Sequence, residues 1–150
     1  MTNANQKSWP LSSIVLGTVG VALAGAGFYF MLLRSPLLSE DLRYMGVPAA
    51  QFDVVKPRLE AWLTHVFLVM GGYVLATGVL TITLAATSFR EHHWGAALGV
   101  LIGGAASIGL MAAVNFMIDS DFKWVLFSMA LAWAFSLGLF WFEYRVSENH

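Results

Sequence analysis

The sequence predicts an all-α integral membrane protein, a four-helix bundle with a partly structured loop between its first and second helices. Three observations lead there. Residues 8–33, 61–89, 92–118 and 124–142 contain no Asp, Glu, Lys or Arg, and a bilayer core about 30 Å thick needs roughly 20 apolar residues per crossing. Hydrophobic residues make up 58% of the chain and charged ones only 11%, against about 25% charged in soluble domains. Tryptophans mark the ends of the uncharged runs. Because the charges gather between the runs, residues 1–150 are read as a single transmembrane domain with helices at about 9–33, 57–88, 93–118 and 121–144.

The first span opens with Trp9 and Pro10, a proline being well tolerated in a first turn because its missing N–H has no intrahelical partner there. Lys7 and the Ala22-Leu23-Ala24 stretch imitate a signal peptide, but the uncharged run continues to Leu33, too long for an h-region of 7–15 residues. A retained helix is expected. The second span starts near Pro57, which disfavours helical geometry at Lys56. Asp119, Ser120 and Asp121 separate the third and fourth spans and offer a cap and acids to the positive end of the fourth. Between them, the 34–60 connection is rich in Leu, Val, Tyr and Phe. It is expected to lie along the surface or fold back on the bundle mouth, with a short helix at 49–55 after Pro48.

Trp9, Trp62, Trp94, Trp124 and Trp141 are read as membrane-interface anchors, since the indole ring prefers the headgroup level. Trp133 lies mid-span, against lipid or a neighbouring helix. Four spans put both termini on one side. That side carries Lys7, Arg90 and Arg145, whereas the other carries Arg34, Arg43, Lys56, Arg58 and Lys123. The excess of cations places the 34–60 loop in the cytoplasm and the termini outside. The outline is similar to small four-span proteins of bacterial inner (plasma) membranes. No family motif matches residue by residue, so no functional residues carry over.

Helix association in lipid depends on close backbone approach and interhelical hydrogen bonds. Gly95, Gly99, Gly103 and Ser107 recur every four residues on the third span and form a groove for another helix, within the bundle or from another chain. Gly17, Gly20, Ala24 and Gly27 offer a similar stripe on the first span. On the second, His65, Val69, Gly72, Ala76, Val79 and Thr83 follow a 4-3-4-3-4 seam.

His65 and Asn115 are the strongly polar groups inside spans. Antiparallel neighbours would place them at similar depth, with Asp119 one turn beyond Asn115. Arg34, Arg58, Glu60 and Thr64 crowd the same mouth. This constellation reads either as a ligand site for a headgroup, a ring or a proton, or as interhelical hydrogen bonding that fixes packing. His92 and His93 are read as solvated and Glu143 as an interface residue. Scattered methionines read as core filler.

Several functions are excluded. No Cys is present, which removes disulfides, thiolate catalysis and Cys-ligated metals. Basic blocks are absent, so nucleic acid is not an expected partner. HExxH, nucleotide-loop and GxSxG patterns are missing. The absence of a mid-bilayer acid disfavours a proton-coupled exporter. No cofactor or metal is expected. The reading is an accessory or assembly subunit, or a self-associating protein, whose partners are the lipid bilayer and a membrane protein or second copy. The alternative is a small-molecule or lipid binder at the His65–Asn115–Asp119 mouth.

Overall fold

The computed structural model describes residues 9–46 and 52–148. Four helices are long and apolar enough to cross a membrane: α1 (Leu11–Leu33), α3 (Lys56–Ala86), α4 (Trp94–Met117) and α5 (Lys123–Glu148). A short helix, α2 (Ser39–Met45), lies between α1 and α3. The chain is all-α, with an integral membrane composition. Large apolar side chains face outward along every span, among them Leu33, Tyr73, Ile102 and Phe135, as suits a surface solvated by lipid.

Residues 49–51 of the expected short helix at 49–55 lie outside the described residues, and in the remainder Phe52 is helical and residues 53–55 form a turn. The helix that is seen lies ten residues earlier. Asp41 accepts the Leu38 N–H at 2.9 Å and so caps the start of α2. Gly46 ends it at φ +61°, a left-handed turn that glycine adopts without steric cost.

The spans are arranged as an open horseshoe. α1 lies against α3 along most of its length and against α5 on its other flank. α4 leans on α5, and α3 scarcely meets α4. One core cluster gathers Leu16, Ala85, Phe89, Val100 and Phe140 at the terminal end. A second gathers Val19, Leu23, Ile108, Ala112 and Leu126 deeper in. Trp133 packs against both.

The tightest crossing is α1 on α3. A Cβ added to Gly78 would sit 2.5 Å from the Ala24 nitrogen and 2.8 Å from the Gly20 carbonyl oxygen. A Cβ on Gly27 would lie 2.5 Å from the Leu75 nitrogen, and one on Gly71 2.8 Å from the Gly27 oxygen. Small residues thus let two backbones touch, the usual device of helix pairing in lipid. The α1 stripe therefore packs inside the bundle.

The seam expected on α3 does not. His65, Val69, Ala76, Val79 and Thr83 are exposed, and no atom lies within 4 Å of a Cβ built on Gly72. The packing face runs instead through Gly71, Leu75, Gly78, Ile82 and Ala85. Gly71 and Gly72 are adjacent, and successive helical residues point about 100° apart. Choosing the wrong one of the pair rotates the whole face away from α1.

α4 contains a π-helical stretch, Ala105–Gly109, a widened turn often found at functional positions. One turn before it, the Trp133 indole N–H donates to the Val100 carbonyl at 3.0 Å. A Cβ on Gly104 would fall inside that indole. Trp133 therefore faces a neighbouring helix, and Gly104 is the residue that admits it.

Candidate functional site

Because α3 and α4 diverge, a cleft of about 420 Å3 opens between them. Leu16, Val19 and Leu23 of α1 form its floor. Thr77, Leu80, Thr81 and Leu84 make the α3 wall, and Gly99, Gly103, Ala106 and Ser107 the α4 wall. No atom lies within 4 Å of a Cβ built at Gly95, Gly99 or Gly103. The glycine face of α4 is therefore bare, and no helix of this chain fills the groove it forms. Its hydroxyls are already occupied: Thr77 donates to the Tyr73 carbonyl (2.8 Å), Thr81 to Thr77 (2.8 Å) and Ser107 to Gly103 (2.7 Å). The cleft offers shape and bare backbone rather than hydrogen-bond donors.

The polar mouth takes a different form from the one expected. His65 is exposed and donates from Nδ1 to the Ala61 carbonyl of its own helix at 2.7 Å. Asn115 donates to Met111 at 2.8 Å, also within its helix. No hydrogen bond joins the two. Thr64 donates to Glu60 at 2.8 Å through its own turn, and Arg58 is exposed. Asp119 lies beyond the end of α4 at φ +53°, so it no longer shares a helical face with Asn115. It pairs instead with Lys123. That hydrogen bond, with the Lys123 charge next, holds the Asp119 carboxyl below the usual carboxylate range. The expectation of a shared site required α3 and α4 to be close neighbours, and they are not.

The mouth is held chiefly by Glu40 and Arg43, which the sequence did not place there, together with Arg34, which it did. Glu40 of α2 is 5% exposed. It accepts from the Ser120 hydroxyl at 2.9 Å and from the Asp121 N–H at 3.0 Å, pinning α2 to the α4–α5 turn. Arg43 adds bonds to the Asp119 carbonyl at 3.0 Å and the Asp121 carboxylate at 3.3 Å. Arg34 pairs with Asp41 at 3.2 Å and lies 3.7 Å over the Phe67 ring. Residues 34–46 of the connection thus fold back across the mouth.

At the opposite end, Glu143 is half-buried between three elements. It accepts the Ser12 N–H at 3.2 Å and the Ser12 hydroxyl, and the Nε2 of His92 approaches it at 3.4 Å. His92 is not the solvated residue expected, and Glu143, read as an interface residue, bonds across helices. Their meeting depends on α1 and α5 being neighbours, which no local spacing announces. Although Ser, His and an acid are all present, the carboxylate sits between the other two. The histidine therefore cannot take the serine proton, and the order is unlike a hydrolytic triad. His93 remains exposed, beside Glu91 at 3.2 Å.

The five tryptophans read as interface anchors, Trp9, Trp62, Trp94, Trp124 and Trp141, are all substantially exposed. Arg90 lies 4.2 Å over Trp9 and Arg145 4.8 Å over Trp141, contacts typical of interfacial aromatics. Among the described residues no group of three or more metal-ligating side chains occurs. Comparison with protein-family models, with curated proteins and with solved structures finds no match.

Proposed function

We propose that this protein works by association in the membrane, as an accessory or self-associating subunit whose α4 glycine face receives a transmembrane helix from another chain. The observation that carries the proposal is the bare face itself. Gly99 and Gly103 present backbone to an open cleft, and nothing packs within 4 Å of the Cβ positions of these two or of Gly95 on the same stripe. In lipid such a face is where backbones approach each other closely. A helix lying in the cleft would insert large side chains against Gly99 and Gly103 and over the α1 floor. The hydroxyls lining the cleft are already bonded to their own helices, which suits an apolar helix better than a polar ligand.

A finer placement accompanies this reading: the inner (plasma) membrane of a bacterium, with the 34–60 loop cytoplasmic and the termini outside. Five cations against three support that orientation. A thiol placed at exposed Val54 in this cysteine-free chain tests it. Labelling of intact cells by an impermeant reagent would reverse the assignment.

The association itself is tested by native mass spectrometry of gently extracted protein carrying Gly99→Leu or Gly103→Leu. Both side chains would enter open space, so each variant should fold and unfold like the parent while losing the second polypeptide. A complex of unchanged stoichiometry in both variants would overturn the reading.

A further inference from the structure

We propose that Glu143 is a proton-releasable clasp that fastens the first turn of α1 to the end of α5, with His92 as its positioning partner. This inference is independent of the association surface. Three observations converge on it. The first is the carboxylate's position. It receives the Ser12 N–H and hydroxyl at the very start of α1, where the unpaired amides of a helix favour a negative charge. The second is His92, which approaches the same carboxylate from the α3–α4 turn. His92 adopts φ +59°, an uncommon conformation for a residue other than glycine. Its ring packs 5.3 Å from that of Phe140. The third is Ser13, which is 1% exposed and has a hydroxyl without a hydrogen-bond partner. Only its backbone N–H, which donates to the Pro10 carbonyl at 3.1 Å, tethers Ser13 by a polar contact, so the burial of its hydroxyl depends on neighbours such as the clasp.

The chemistry gives the clasp its sign. The ionised carboxylate accepts three hydrogen bonds, and bonds to a charged acceptor are roughly twice as strong as neutral ones. A proton arriving on either oxygen removes the charge from all three and places a hydrogen among their donors. The other charged groups nearby are otherwise engaged. Arg90 lies on Trp9, Glu91 pairs with His93, and Arg145 lies on Trp141. Tyr144 stacks on Phe140. α1 and α4 bring no titratable side chain to this end.

The absence of cysteine gives a direct test. Ser13→Cys places a near-isosteric thiol at the buried position. Its maleimide labelling is measured in the full-length detergent-solubilised protein, as a ratio to labelling of Ser147→Cys, an exposed site at the same end. The ratio should be low at neutral pH and rise at least tenfold once acidification protonates the carboxylate. Glu143→Gln should give the high ratio throughout. His92→Ala should raise the ratio at neutral pH part of the way. Ser12→Ala, which keeps the backbone donor, should raise the ratio part of the way and serves in place of Glu143→Gln if that variant does not fold. A ratio independent of pH in the parent, or one unaltered by Glu143→Gln or Ser12→Ala in folded protein, would overturn the proposal.

Discussion

Gly78→Ala and Gly99→Ala add the same methyl group to two membrane-spanning helices and should have opposite effects. At Gly78 the new carbon would stand 2.5 Å from the Ala24 nitrogen, 2.8 Å from the Gly20 oxygen and 2.9 Å from the Ala24 Cα. All three are backbone atoms of α1, so no side-chain rotation relieves the contact. Ordinary carbon contacts are about 3.5–4 Å, so α1 must retreat by roughly 1 Å. A gap of that size forfeits a quarter to a half of the dispersion well of each contact along the crossing, and overpacking of this kind costs about 1–3 kcal/mol. Alanine returns up to about 1 kcal/mol of helix propensity. The balance for Gly78→Ala is a net loss of up to about 2 kcal/mol when the full propensity gain is realised. At Gly99 nothing lies within 4 Å, so only the propensity gain remains. Reversible unfolding in mixed micelles measures both. Equal stability of the two variants would refute the assignment of Gly20, Gly27, Gly71 and Gly78 as the close crossing.

Further outcomes follow from the same geometry. Trp133→Phe removes the donor to the Val100 carbonyl and should cost about 0.6 kcal/mol, typical of an interhelical hydrogen bond in a membrane, read in the same unfolding assay. Glu40→Leu strips the α4–α5 turn of its two bonds to α2, and hydrogen exchange should rise across Ser39–Met45 while the four spans stay protected. Asp119 titrates below the ordinary carboxylate range in the folded state. Its contribution to stability is therefore present above that range and fades as pH falls through the lowered value. An NMR titration of its carboxyl should return to the ordinary range in Lys123→Met. An unchanged titration there would show that Lys123 is not the cause.

Much of the architecture could be read in the sequence because bilayer thickness and uncharged run length set the spans almost unaided. The expected helix 57–88 appears as Lys56–Ala86 and 93–118 as Trp94–Met117. Facing was harder. The Gly71–Gly72 pair left two rotations of α3 open, and a seven-residue spacing from Gly71 to Gly78 was the signal that distinguishes them. Helix order was not legible at all. The second and third spans were read as antiparallel neighbours, whereas α1 takes the centre and α3 parts from α4. Each polar assignment that failed did so for this reason. His65 with Asn115 presumed the contact that is missing. Glu143 with Ser12 and His92 needed one that only the folded chain reveals. Glu40 was hidden for another reason, because an acid in a connecting loop is ordinarily solvated.

The most direct test of the open α4 face is photocrosslinking in the native membrane from a benzophenone side chain at position 103. The account predicts one discrete protein–protein product, lost when the probe is moved to Ile102, which faces outward on the same helix away from the cleft. Adducts to lipid alone, with no polypeptide product from position 103, would contradict it.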